Sequence, residues 1–291
     1  MKRKFDYEKA FMGVGYEHVS NAPKVYAMDY RVARLKECVA PFKGSLLDLG
    51  CGGGTNTEKL AKIYKRARVY GCDISQTAIA YAKKYGGGKV KYAVIKGKIF
   101  PYKSNTFDVV VCLDVLEHVP NVEAFLTQIR RVLKKNGKLY LVIPCEGQAF
   151  TYTKALQIFG LDRYFTRKYW GHIHPEFTHK NVISLVKNAK FSIKRISYSE
   201  HWLYQASNIL FYFSPKILLS LLFGNDSSKY SDQGVVMSYN KKNAPKGILM
   251  SIRALWFWLS DVFGLLRDKE LRMGKNISFG AWKVHILAEK R

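Results

Sequence analysis

Gly50, Gly52, Gly53 and Gly54 crowd the stretch between an apolar run, Leu46–Leu49, and a helical pattern over 56–65. Glycine lets a ligand approach the backbone closely, and a helix N-terminus offers N–H groups to an anion. Asp73 ends the next apolar run, 23 residues after Gly50. A carboxylate there accepts hydrogen bonds from both hydroxyls of a ribose. Loop and acid together point to a nucleoside-containing cofactor. The dinucleotide pattern G-x-G-x-x-G is broken, because Thr55 stands where its last glycine belongs. An ordinary tight turn needs neither four glycines nor an acid at this distance. Thr55 and Glu58 have capping-box spacing and predict a helix start at that point.

His118, His172 and His174 are the candidate bases. His118 follows Glu117 after a strongly apolar run, and the plainer reading is a histidine that ties a turn. His172 and His174 precede a helical pattern, on the side where a substrate would lie. A base or a substrate-orienting role falls to His172. Two histidines two apart could also ligate a metal, but no third ligand is evident, so no metal is expected. Cys145 follows Pro144 and reads as a bystander thiol.

The elements that must position these residues alternate. Strands are expected at 46–49, 68–73, 89–95, 107–113 and 138–143, and helices at 56–65, 76–84 and 122–134. In the last helix Val122, Phe125, Leu126, Ile129, Val132 and Leu133 share a face, and Asn136 with Gly137 stops it. A helix at 181–188 and a strand at 191–198 form a sixth unit, and 281–289 alternates like a final strand. Such alternation predicts an α/β fold with a parallel sheet covered on both faces. Residues 1–44 read as a helical lid, with Tyr30, Val32, Leu35 and Val39 on its apolar side. No internal repeat is found.

The glycine loop, Asp73 to Ser75, the segment Phe107 to Pro120 and the segment Lys134 to Pro144 resemble a class I S-adenosylmethionine-dependent methyltransferase. Within that class the sequence is similar to the type 11 group, which includes quinone-biosynthesis and small-molecule enzymes. The resemblance covers residues 40–200 and the final strand. It implies a Rossmann-like sheet of seven strands, the sixth parallel and the seventh antiparallel, and S-adenosyl-L-methionine as cofactor. The backbone at Gly50, Cys51, Gly52 and Gly54 would hold the methionine part, with Asp48 fixing the loop. Asp73 would bind the ribose, and Ile74 would pack on the adenine. Leu113 and Asp114 would end the fourth strand beside the sulfonium, with His118 just beyond. Many relatives bind the adenine amine with an Asp where this chain has Lys96, followed by Gly97; Lys cannot accept a hydrogen bond. Backbone carbonyls are then the acceptors expected there.

The resemblance divides the chain into a lid at 1–44, a core at 45–200, an apolar helical insertion at 201–277 and a final core strand at 278–291. In this fold an insertion after the sixth strand emerges on the cofactor side. It holds two apolar blocks, Ile209–Phe223 and Ile248–Leu266. In the second, Arg253, Ser260, Asp261, Gly264 and Arg267 form one narrow polar stripe on a wide face of Trp, Phe and Leu. Neither block is a clean span of about 20 apolar residues, so helices lying in a headgroup region fit better than membrane-crossing ones.

Lys plus Arg is 48 and Asp plus Glu is 22, a formal charge of +26, which favours a polyanionic partner. A hydrophobic content of 48% excludes wholesale disorder. Five cysteines without a CxxC pair exclude a zinc module and a disulfide scaffold, and suit a reducing cytosol. Residues 1–8 are charged with no apolar run behind them, so a signal peptide is not expected. The expected function is methylation, at oxygen, of a lipid or lipid-linked acceptor at the cytoplasmic face of a membrane. Residues 205–275 would meet its anionic surface. The rivals are an RNA methyltransferase using the basic surface, a soluble small-molecule methyltransferase, and a cofactor-binding protein without turnover. Nucleic acid is disfavoured by the apolar insertion.

Overall fold

The computed structural model describes residues 30–162, 166, 171–207 and 273–291. Helix α1 (Tyr30–Cys38) leads into β1 (Gly44–Leu49), α2 (Thr55–Ile63), β2 (Ala67–Asp73), α3 (Gln76–Tyr85) and β3 (Lys91–Val94). Then come β4 (Phe107–Leu113), a 3₁₀ turn (Leu116–His118), α4 (Val122–Val132), β5 (Leu133–Pro144) and α5 (Tyr152–Ile158). The chain continues with α6 (His179–Asn188), β6 (Phe191–Ser199) and α7 (Trp202–Ser207), and closes with a 3₁₀ turn (Gly274–Asn276) and β7 (Lys283–Lys290).

The seven strands lie in the order β3-β2-β1-β4-β5-β7-β6. Strand β7 runs antiparallel to both of its neighbours. The other pairings are parallel. This is the Rossmann-like sheet that the alternation and the resemblance led us to expect. Chain order reverses between β1 and β4, and in open α/β sheets the ligand crevice lies outside the carboxyl ends of the strands at such a point.

Both sheet faces are buried, which is why the strands read as near-continuous apolar runs. Leu47 and Leu49 of β1 and Val110 and Cys112 of β4 face one core, which α4 fills with Leu126, Ile129 and Val132 and α6 with Val182 and Val186. Leu46, Val109, Val111 and Tyr140 face the other, where α1 supplies Val32 and Leu35 and α2 supplies Leu60. Alternate residues pointing to opposite faces follow from the two-residue repeat of a strand.

Two local expectations are corrected. The helix over 122–134 ends at Val132, and the strand expected from Lys138 begins at Leu133. Leu133 pairs with Phe107, and Lys138 with Val109, so the residues between bulge out of register, with Asn136 at φ 61°. Pairing with Phe107 overrides the apolar helical spacing of Leu133. The capping box at Thr55 and Glu58 does not form. Gly54, at φ 84°, is the N-cap of α2 and gives no side-chain cap, while Glu58 accepts a hydrogen bond from the Tyr92 hydroxyl at 2.9 Å. A capping box does form at α6, between Thr178 and Asn181.

Most of the expected lid (residues 1–29) and the two apolar blocks of the insertion lie outside the described residues. The two ends of the insertion are described, and they are clamped together. Gln205 donates to the carbonyls of Glu200 and Gly280, both at 2.7 Å. His201 Nε2 pairs with the Ile277 carbonyl at 2.7 Å. The insertion therefore leaves and rejoins the core through one neck, beside the carboxyl end of β6. Among the described residues no helix is long and apolar enough to cross a membrane.

His285 on β7 is buried between the Tyr140 hydroxyl, 2.8 Å from Nδ1, and Ser199 Oγ, 2.7 Å from Nε2. Burial, with Lys283 beside it, pushes its pKa from 6.5 down to about 3. Between those values the unfolded chain binds a proton that the folded chain refuses. Stability from this site is complete above pH 6.5 and is lost as pH falls towards 3, at about 1.4 kcal/mol per pH unit. In urea titrations across that range, His285→Gln should show a shallower fall of unfolding free energy than wild type, by about one proton's slope.

Candidate functional site

The glycine loop joins β1 to α2 at the switch point. Gly50, Gly52 and Gly54 have φ of 79°, 50° and 84°, a region that L side chains rarely adopt. A Cβ on Gly50 would lie 2.3 Å from a Val115 methyl, and one on Gly54 2.6 Å from the Tyr92 hydroxyl oxygen. The amides of Gly50 and Cys51 donate to the Cys72 carbonyl at 2.8 and 3.1 Å, pinning the loop to the end of β2. Asp48, buried at the base, accepts from the Thr57 hydroxyl at 2.7 Å and ties the loop to α2.

Asp73 closes this cradle. Its Oδ2 accepts from Gly52 N and its Oδ1 from Ser75 N, both at 2.9 Å. Each carboxylate oxygen keeps a further lone pair for a ligand hydroxyl. Ser75 caps α3 through Ala78 N at 3.0 Å. Between them Ile74 is half exposed and offers an apolar shelf beside the acid. Lys96 and Gly97 lie in an exposed turn that the Ile95 amide holds to the Asp73 carbonyl at 2.8 Å. A Cβ on Gly97 would meet nothing within 4 Å. Carbonyls of this turn, and not the Lys96 ammonium, supply acceptors. A bare-backbone cradle, an acid with open lone pairs and an apolar shelf fit a nucleoside-bearing cofactor.

On the other side of the switch point, β4 ends at Leu113, which is buried. Asp114 follows with φ 53°. Its Oδ2 accepts from Arg31 Nη1 of α1 and, at 2.8 Å, from Lys283 Nζ. Lys283 also meets Glu200 at 3.1 Å, and Glu200 accepts from the Tyr30 hydroxyl. Burial alone would raise Asp114, but Lys283 and Arg31 hold it well below the carboxylate range. Burial alone would lower Lys283, but Asp114 and Glu200 hold it above the lysine range. Asp114 thus serves as the anchor of an ion cluster next to the cradle. The spacing of Arg31, Asp114, Glu200 and Lys283 along the chain hides this cluster.

The histidines sort themselves by partner. His174 commits Nδ1 to Glu176 at 2.9 Å and Nε2 to the Val119 carbonyl at 2.8 Å, and it stacks on Phe177; it is structural. His172 is buried, and its Nδ1 pairs with the buried Glu146. The ring of His118 meets it edge-on, centroids 5.0 Å apart, and His118 Nδ1 lies 3.2 Å from the Gly171 carbonyl. Glu117 stands between the two rings, Oε1 3.8 Å from His118 Nε2 and 4.0 Å from His172 Nε2. Burial, then the nearby Asp114, pushes Glu117 up to about 8, and burial pushes His118 down. His118 is thereby gathered to His172 and still feels the Asp73 carboxylate of the cradle. Glu146 and Glu117 carry no motif that marks them, although Glu146 directly follows the Pro144–Cys145 pair. Cys145 is buried, and burial pushes its thiol up, as a bystander's should be.

Residues 47–141, which span the cradle, Asp73 and β4, match the family model described as a methyltransferase domain. The ubiquinone biosynthesis O-methyltransferase of Schizosaccharomyces pombe, a mitochondrial protein, is 36% identical over 132 residues, 43% of this chain and 45% of that one. The chain spans about half the length of the curated relatives it matches. Two solved structures share the class I methyltransferase fold. The Haemonchus contortus phosphoethanolamine N-methyltransferase 2, in complex with S-adenosyl-L-methionine, superposes with a TM-score of 0.52 at 17% identity, over 90% of this chain and 52% of that one. The [4+2]-cyclase SpnF superposes with 0.54 at 16% identity, over 89% and 79%. A cyclase among them shows that this fold does not by itself set the reaction.

The carboxyl edge of the sheet rests on its ion cluster. Lys283→Met leaves the buried Glu200 and the part-buried Asp114 without their shared cation, and losing one partner of a buried pair costs about 3–5 kcal/mol. Denaturant unfolding should show a loss of that order, with Lys283→Arg losing less.

Proposed function

We propose that the chain is an S-adenosylmethionine-dependent methyltransferase acting at oxygen on a quinone-type or other lipid-linked phenol. The observation that carries the reading is the cradle of Gly50, Gly52 and Gly54 closed by Asp73. It joins a bare backbone to a ribose-binding carboxylate at the switch point. The named relatives support oxygen as the methylated atom and a quinone precursor as the class of acceptor.

The bound cofactor supplies an activated methyl on a sulfonium. The chain's residues do the rest by position. Loop amides hold the amino-acid end, Asp73 the ribose hydroxyls, and Ile74 the adenine face. Glu117 and His118, in the turn that follows β4, form a group with His172. The acceptor hydroxyl loses its proton towards that group, where Glu146 fixes the His172 ring.

Support for an apolar acceptor at a membrane comes from the neck. Phe150, Trp202 and Phe279 are exposed there. Phe279 lies 4.6 Å from Phe150 and 5.7 Å from Trp202, ring centre to ring centre. Trp202 Nε1 also donates to the Phe150 carbonyl at 3.0 Å. An aromatic patch at the root of an apolar insertion, on a chain of net charge +26, suits the cytoplasmic face of an anionic membrane.

Labelled methyl transfer from the cofactor to phenols carrying prenyl tails of increasing length tests the reading. Turnover should rise with the tail. Asp73→Ala should weaken cofactor binding about 100-fold or more by calorimetry, the cost of two hydrogen bonds to a charged acceptor at about 1.5–3 kcal/mol each. Cofactor binding without a methylated phenol would leave only the non-catalytic rival, and methylated RNA would move the acceptor to nucleic acid. Vesicles containing anionic lipid should sediment the chain, with Trp202→Ser and Phe279→Ser together reducing the bound fraction; retention on zwitterionic vesicles alone contradicts the charge argument.

A further inference from the structure

The edge of the sheet opposite the crevice is lined with cations. The strands β2, β1, β4, β5, β7 and β6 follow one another across it. Their register brings Ala67, Gly44, Phe107, Leu133, Lys290 and Phe191 near one level along that edge. Each of these strand ends has a cation at it or beside it: Arg66, Lys43, Lys103, Lys135, Lys290 and Lys190 in the same order. All but Lys290 are exposed. Neighbouring strands lie about 4.8 Å apart, so the row spans roughly 24 Å. Along the chain these residues are scattered; the parallel sheet alone puts them in line.

Little offsets this charge. Asp108 is spent on Lys134 at 2.8 Å and on the Ser45 amide at 2.8 Å, and Glu289 on Lys194 at 3.5 Å. The row itself meets only neutral groups. Lys290 donates to the Asn105 side chain and the Leu133 carbonyl, at 2.9 and 2.6 Å. Arg130 donates to the carbonyls of Lys190 and Arg291, at 3.1 and 3.0 Å, and so brings a guanidinium among the lysines. Burial, then Arg130, pushes the Lys290 pKa down, as crowded like charges must. Helix dipoles account for other cations at this end: Lys62, Arg130 and Lys187 sit in the last turns of α2, α4 and α6. That effect fades within one turn and does not call for a cation at each strand end.

We infer that this edge binds the phosphate backbone of a nucleic-acid strand that is not the methyl acceptor. What the edge lacks decides the partner. A protein interface needs buried apolar or aromatic anchors at its centre. The exposed large apolar side chains among the described residues lie elsewhere, as with Phe150, Trp202 and Phe279 at the neck, and none borders these strand ends. A lipid surface that meets the aromatic neck at the carboxyl edge cannot touch the opposite edge as well. Nucleic acid is the partner whose binding rests mainly on neutralised phosphates and needs no apolar anchor. Cations fixed on strand ends of a rigid sheet meet that need, and a single row suits one strand. The crevice lies at the carboxyl ends of the strands, so a strand bound here leaves the cofactor site free. The apolar insertion, which speaks against RNA as acceptor, is rooted at that other edge and leaves this one untouched.

The test is fluorescence anisotropy of a labelled poly-uridine RNA of about 20 nucleotides, titrated with the full chain at several salt concentrations. Affinity should fall linearly with salt on logarithmic axes, with a slope of about −0.7 for each phosphate neutralised. Lys43→Ala, Arg66→Ala and Lys135→Ala combined should weaken binding roughly 10- to 100-fold at about 0.1 M salt and flatten the slope by about two. A control triple, Lys98→Ala, Lys154→Ala and Lys180→Ala, removes the same charge from residues outside the row and should keep the wild-type slope. Circular dichroism confirms that both triples are folded. No RNA binding by wild type at low salt, or equal losses in the two triples, overturns the inference, because net charge alone then suffices. Tighter binding of poly-glutamate than of RNA assigns the edge to an acidic protein, and loss of anionic-vesicle binding in the first triple assigns it to lipid; either overturns it. So does labelled methyl in the bound RNA, which would put that strand in the crevice. Methyl transfer to a phenol should be the same in both triples and wild type, so the proposed function stands or falls separately.

Discussion

Two carboxylates and two cations are drawn together, buried or part-buried, at the carboxyl edge of the sheet, and they join the elements around it. Lys283 joins Asp114 to Glu200, and Arg31 adds a second charge to Asp114. The four side chains come from α1, the end of β4, the end of β6 and the start of β7. Charges brought out of water must be paired or the cost is prohibitive. This cluster therefore ties the helix that leads in from the N-terminal segment to the strand ends that frame the cofactor crevice. It also sets where the insertion begins, because Glu200 stands at the neck.

The end of β4 divides two chemistries. On one side the backbone is bared, and its amides and Asp73 form a polar cradle of fixed shape. On the other side Glu117, His118, His172 and Glu146 are packed together in low dielectric. Transfer of a group in line needs donor and acceptor to be held on opposite sides of one reacting centre. The left-handed Asp114 makes the turn that separates the two sides, and its ion pairs hold that turn.

The neck adds a third layer of specificity. Gln205 and His201 close it with side-chain hydrogen bonds, so the insertion is anchored firmly where it meets the core. Above the clamp the surface turns aromatic. Phe150, Trp202 and Phe279 are exposed there and in contact with one another.

The sheet, its helices and the cofactor cradle were legible in the chain itself. Their signals are local: runs such as Phe107–Leu113, four glycines in five positions, and an acid one strand further on. Backbone sterics and burial on both faces leave few other uses for such patterns. The boundary at Leu133 was not legible, because a partner strand, and not local spacing, decided it. Thr55 failed as a cap because Gly54 already turned the chain. The ion cluster and the Glu117–His118–His172 group lay further from view. Their members come from positions as distant as Arg31 and Lys283, or Glu117 and His172, and a single His or Glu carries no mark of its future neighbour. Side chains drawn from separate strand ends acquire their chemistry only when folding removes the water between them. The chain thus determined where the glycine cradle and its acid would lie, and the tertiary structure alone decided which polar groups would be packed together beyond the end of β4.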